Sequence, residues 1–157
     1  MVALRAGFFS YRGLSQVRSS SLRESAARGQ GLATVTAALA DPARDAILED
    51  YLRQARAADP GFTGFSPERG AAFFRARHTN TADMASCTAC HTGDPAGQGR
   101  HVKTGRPIAP VAVSQSPKRF IDRDKVEQRF RRDCTKVLGR ECTPAEKGDY
   151  IAFMASR

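Results

Sequence analysis

The sequence predicts an all-α fold of short helices and long loops. Three observations carry this. A capping side chain followed at once by proline, the signature of a helix start, occurs at Asp41-Pro42, Ser66-Pro67 and Thr143-Pro144. No alternating apolar and polar run of strand type is present. Finally, Cys87-Thr88-Ala89-Cys90-His91 is the C-x-x-C-H pattern that attaches a c-type haem. Two thiols three positions apart can each add across one vinyl group of the same porphyrin. The histidine that follows then stands below the iron as its fifth ligand. The rivals are a redox C-x-x-C, which belongs in a βαβ pattern not found here, and half of a zinc site.

Residues 1–40 read as an N-terminal extension or signal peptide, 41–65 as a helix and linker, and 66–157 as the haem domain. Gly31 to Ala40 is a mostly apolar run preceded by Arg23 and Arg28, and it ends in Ala38-Leu39-Ala40, an A-x-A cleavage pattern. The rival for this segment is a disordered extension. Ala43, Ile47, Tyr51 and Ala55 recur every four residues, with Leu48 and Leu52 beside them, so a helix runs from Asp41-Pro42 to about Ala57. Asp59-Pro60-Gly61 stops it. Ser66-Pro67-Glu68 starts a second helix carrying Gly70, Phe73 and Phe74.

Between the haem motif and Pro117, glycines at 93, 97, 99 and 105 and prolines at 95, 107 and 110 leave only loop. A helix follows Asp122. The last helix opens on the capping box Thr143-Pro144-Ala145-Glu146 and carries Tyr150, Ile151, Phe153 and Met154. An early helix with Gly70 and Phe74, a haem motif, and a late helix with Tyr150 and Phe153 resemble the class I cytochrome c-like fold. There the terminal helices cross and glycine lets their backbones approach. In so small a domain the haem is expected to complete the core.

The net charge of +9 falls to +5 once the first 40 residues are set aside. No nucleic-acid motif accompanies it, and no basic stripe interleaves with aromatics. Nucleic-acid binding is therefore excluded from the reading. No apolar run approaches the ~18 residues of a membrane span, so stable membrane insertion is not expected. With Cys87 and Cys90 assigned to haem, Cys134 and Cys142 remain as a pair, and a leftover pair in an exported protein reads as a disulfide. A four-cysteine zinc site fits the spacing poorly. Haem c attachment takes place on the outer face of a membrane, so the location expected is the periplasm.

The sixth ligand of the iron is less plainly written. Met84 and Met154 lie on segments that do not cross the distal face. The helix after Asp122 is the natural distal wall, with Val126, Phe130 and Val137 on its apolar face and Asp133 among them. A carboxylate there either meets ferric iron, a hard cation, or sits at the stripe's edge and pairs with Arg129 or Arg132. His101, ten residues beyond His91 on the proximal loop, is the competing ligand, with a place near a propionate or at the surface as its other reading. His78 reads as a solvent-facing loop residue. Lys118 to Arg132 holds seven basic residues against three acidic ones, either a solvated face or a docking patch.

From Ser86 to the C-terminus the chain resembles the sphaeroides haem protein family of c-type cytochromes. The resemblance rests on Ser86 to His91, Lys103-Thr104-Gly105, Ile108-Ala109-Pro110, Arg119-Phe120, and Cys134 through Cys142-Thr143-Pro144, with Val137 to Thr143 the most specific run. It extends to the region of Phe62 to Phe74. It implies one covalent haem c, oxygen or nitric oxide as a gaseous ligand, and a dihaem cytochrome c or similar protein as electron donor. It also implies a disulfide between Cys134 and Cys142. The family's distal ligand is an asparagine directly before the first disulfide cysteine, a ligand that leaves the iron on reduction. That position here is Asp133. The competing functions are a closed six-coordinate electron carrier, with His101 or Lys136 as ligand, and a haem enzyme of peroxidase or nitric-oxide-reducing type, for which a distal acid–base set beyond Asp133 is lacking.

Overall fold

The computed structural model describes residues 40–78 and 84–157. The export segment, apart from Ala40, lies outside them. Helix α1 spans Pro42–Ala58, α2 Pro67–Arg75, α3 Thr88–His91, α4 Arg123–Leu138 and α5 Pro144–Ala155. The three proline-marked starts fall where the sequence puts them. Asp41 accepts from the Ala43 N–H at 2.9 Å and Ser66 from the Arg69 N–H at 3.2 Å. Thr143 and Glu146 satisfy each other's backbone N–H groups at 3.2 and 2.8 Å. Helix α4 is capped by Asp122 and ends at Gly139, whose φ of 74° is the left-handed stop that glycine adopts without a Cβ penalty.

The loop after α3 is not structureless. Strands β1 (Gly99–Arg100) and β2 (Pro107–Ile108) pair antiparallel, Gly99 opposite Ile108. Two residues per strand are too few to leave an alternating pattern, which is why the sequence reads only as loop.

The core has two parts. Ile47 and Tyr51 of α1, Val126, Phe130 and Cys134 of α4, Cys142 and Ile151 form one; Phe74, Val111, Phe153 and Met154 form the other. Phe120 and Tyr150 pack against both. Residues 41–65 thus share a core with the haem segment through Ile47 and Tyr51. Helices α2 and α5 cross in direct backbone contact, since a Cβ on Gly70 would lie 2.0 Å from the Asp149 carbonyl oxygen. Asp149, almost fully buried, accepts from Arg69 at 2.7 and 2.8 Å and from the Ser66 N–H at 2.7 Å, locking the crossing.

Two burial expectations are corrected. Ala43 is exposed and Arg44 is buried in its place, because the Arg44 guanidinium finds the carbonyls of Pro117 at 2.6 Å and Arg119 at 3.0 and 3.1 Å. The buried stripe of α4 runs through Val126, Phe130 and Cys134, with Leu138 packed on the same core, so Asp133 stands on its flank. The bond from Cys134 to Cys142, eight residues on, draws that side of the helix inward.

Candidate haem site

The C-x-x-C-H segment folds as the single turn α3, so both cysteines and His91 project from one short helix. Cys87 and Cys90 are not bonded to each other, and both are partly buried. Two contacts fix the turn. Cys87 packs against the core of Phe74, Val111, Phe153 and Met154. Behind the turn, Gly99 of β1 lies so close that a Cβ would come within 2.3 Å of the Cys90 carbonyl oxygen and 3.2 Å of the His91 Cα. Gly99 is thus a positioning residue that sequence reasoning passed over among four loop glycines; the missing signal was the ladder that presses it there. Thr92 leaves the turn at φ 60°, a conformation a β-branched residue adopts only when its surroundings enforce it.

The electrostatics at Cys87 oppose a redox reading of the motif. Burial pushes the Cys87 thiol up to about 11, with the Asp133 carboxylate the next contribution. Redox C-x-x-C motifs need the opposite shift, toward thiolate. Burial also holds the His91 imidazole below its ordinary value; Arg119 adds to this, Asp133 opposes it, and Arg129 adds again. A neutral imidazole is the form that ligates iron.

Asp133 is about half exposed, and its two carboxylate oxygens take Arg132 Nε at 2.7 Å and the second guanidinium N–H at 3.1 Å. Its charge nevertheless reaches Cys87, His91 and Tyr150. His101 belongs to its own turn, where Nδ1 accepts from the Lys103 and Thr104 N–H groups at 3.3 and 3.2 Å. Met154 is fully buried in the core. His78 is not solvent-facing as the sequence suggests. Its ring lies 6.1 Å from that of Phe73, and its Nε2 is buried with no hydrogen-bond partner among the described residues.

The Pro110 carbonyl accepts from Ser116 Oγ and Arg119 Nε, both at 3.0 Å. Those two bonds use both of its lone pairs. Arg119 is partly buried, with its pKa lowered by that burial, and among the described residues it has no carboxylate partner. A desolvated cation without an acid, beside two thiols and an imidazole on one turn, is the complement of a haem with its propionates. The residues present fit the group. A zinc site does not fit, because Cys134 and Cys142 are bonded to each other and offer no thiolate.

Comparison with known proteins agrees. A family model described as a domain of unknown function (DUF1924) matches residues 60–154. Cytochrome c'' of Methylophilus methylotrophus is 37% identical over 119 residues, covering 74% of this chain and 83% of that protein. The cytochrome c-type protein SHP of Cereibacter sphaeroides is 44% identical over 91 residues, covering 57% and 70%. The chain belongs to the sphaeroides haem protein family. The structure of oxidised SHP, an oxygen-binding cytochrome c, superposes with a TM-score of 0.67 at 36% identity, covering 75% of this chain and all of that one. The solution structure of cytochrome c'' of M. methylotrophus, which concerns haem-ligand detachment, superposes at 0.66 and 36%, covering 73% and 93%.

The family and the fold are therefore those the sequence motifs imply, an all-α cytochrome c-like fold carrying one covalent haem c. Among the described residues no helix is long and apolar enough to cross a membrane.

Proposed function

We propose that this monohaem cytochrome c works in the periplasm, takes electrons from a partner cytochrome, and binds oxygen or nitric oxide at a labile site opposite His91. Cys87 and Cys90 form the thioethers and His91 is the proximal ligand. When bound, the haem would supply one-electron redox chemistry and an affinity for a small neutral gas. Arg119 neutralises a propionate. Asp133 occupies the labile position in the ferric state.

The observation that carries the reading is the setting of Asp133. It stands directly before the disulfide cysteine, on the open flank of α4, and its field reaches both His91 and Cys87. Among the described residues only an exposed arginine holds it, so little free energy opposes its movement toward or away from the iron. The disulfide suits an oxidising compartment, as does the apolar run ending in Ala38-Leu39-Ala40. Lys118, Arg129 and Arg131, which form no ion pair among the described residues, offer a partner cytochrome a positive face.

The test is absorption spectroscopy of ferric and ferrous protein, with and without carbon monoxide. A ferrous spectrum that shifts on adding carbon monoxide supports an open site. A ferrous spectrum indifferent to the gas would overturn the reading in favour of a closed electron carrier.

A further inference from the structure

Tyr150 is placed with more care than a core tyrosine requires. Its ring is held by three others on three different segments: Phe74 of α2 at 6.2 Å, Phe120 at 6.1 Å and Phe130 of α4 at 5.6 Å, the last two edge-on. It packs against both halves of the core, one of which also touches Cys87 and the other of which contains Cys134. The ring therefore lies between the haem-attachment turn and the disulfide end of the distal helix. Phenylalanine would satisfy all three ring contacts. The hydroxyl needs a separate explanation.

Among the described residues, the Tyr150 hydroxyl makes no hydrogen bond. The contrast is with Tyr51, whose hydroxyl donates to Glu127 at 2.6 Å. A partly buried phenol normally finds a partner, because an unmade hydrogen bond forfeits the desolvation cost of the group. The charged groups that bear on Tyr150 include those around the haem-attachment turn. Burial raises its pKa most, followed by Cys87, with Arg119, Asp133 and Arg129 also felt. Three of these, Arg119, Asp133 and Arg129, also bear on His91. The tyrosine and the proximal histidine thus lie within reach of the same three charged groups, and the tyrosine ring packs on the core that Cys87 also touches.

We propose that Tyr150 is the hydrogen-bond donor of the gas site, its O–H directed at the outer atom of a bound polar gas. The role rests on the gas-binding reading above and deepens it to a preference. Dioxygen, which draws electron density from ferrous haem, is held more tightly by such a donor. Carbon monoxide, a poor acceptor, is not.

The test compares wild type with Tyr150→Phe, a change that keeps the ring and its three contacts. We expect dioxygen to dissociate about tenfold faster from the variant, the loss of one hydrogen bond in a dry site. Carbon monoxide dissociation should move less than about twofold. The C–O stretching band of the carbonyl protein should also shift between wild type and variant, and the Fe–O2 band of wild type should be sensitive to D2O. Equal dioxygen kinetics in the two proteins, with superimposable vibrational bands, would overturn the role of Tyr150 while leaving gas binding intact. Wild type that binds neither gas would overturn both. If Tyr150→Phe fails to accumulate, the D2O effect on the wild-type band decides the matter alone, its absence counting against the proposal.

Discussion

Gly70 lies flat against the backbone of Asp149: a Cβ added there would stand 2.0 Å from the Asp149 carbonyl oxygen and 2.8 Å from the Phe153 Cβ. Neither obstacle is a flexible side-chain end, so Gly70→Ala must push α2 and α5 apart. That would also strain the Arg69–Asp149 bonds beside it. We expect a loss of about 3 kcal/mol in denaturant unfolding of the haem-loaded protein. A loss below about 0.5 kcal/mol would mean that the crossing is not tight.

Glu127 ties three helices together. It accepts from Tyr51 of α1 at 2.6 Å and from Lys147 of α5 at 2.8 Å. Burial pushes its pKa up, but the bonds from Lys147 and Tyr51 and the Lys147 and Arg123 charges outweigh that, leaving it below the ordinary 4.5. A depressed folded-state pKa gives stability that is present above the unfolded value and lost as pH falls through the folded one. Wild type should therefore lose stability below about pH 4.5, and Glu127→Gln should lose less over the same range. Parallel curves for the two proteins would show that Glu127 contributes nothing to acid unfolding.

The disulfide between Cys134 and Cys142 closes a short ring between the last turn of α4 and the cap of α5. Replacing both cysteines with serine should destabilise the protein by ~2 kcal/mol, the small value reflecting the short loop. The ferric spectrum should change as well, because Cys134 anchors the turn that carries Asp133. Titration of denatured, non-reduced wild type should find neither thiol free; two titratable thiols from these positions would exclude the bond.

Much of this was legible because the chain marks its own boundaries. Asp41, Ser66 and Thr143 announce helices by chemistry that needs no tertiary partner, and C-x-x-C-H carries its own ligand geometry. What stayed hidden depends on partners distant in sequence. Arg44 is buried only because the turn at 117–119 offers carbonyls, and Gly99 matters only because a two-residue ladder presses it onto α3. Asp133 was placed on the apolar face because Phe130 and Val137 bracket it. The cross-link at Cys134 rotates that assignment by one position.

The same dependence thins the basic patch. Of its seven cations, Arg119 is partly buried, Arg123 pairs with Asp50, Lys125 with Asp122 and Arg132 with Asp133. Lys118, Arg129 and Arg131 remain exposed and without an ion pair among the described residues. Reduction by an acidic donor cytochrome should slow by at least about tenfold as salt shortens the Debye length from ~30 to ~8 Å. Replacing Arg129 and Arg131 with glutamine should flatten that dependence. A rate insensitive to salt in wild type would remove the patch from the reading.

Asp133 is where the two oxidation states should part. Ferric iron carries one more positive charge than ferrous, so its attraction for a carboxylate is greater by a full unit charge's worth of Coulomb energy in a partly dry site. If Asp133 held the iron of a bound haem, that attraction would fall on reduction and the carboxylate would be free to pair with Arg132, which holds it in the structure described here. Asp133→Ala should therefore alter the ferric spectrum and leave the ferrous one nearly unchanged, while raising the ferric protein's affinity for added ligands such as imidazole. His101→Ala should alter neither, because His101 Nδ1 accepts from the Lys103 and Thr104 N–H groups of its own turn, which leaves the ring proton on Nε2, the nitrogen a haem ligand needs bare. The reverse pattern, a ferric spectrum indifferent to Asp133→Ala but changed by His101→Ala, would move the distal ligand to the other loop and leave Asp133 as a surface partner of Arg132.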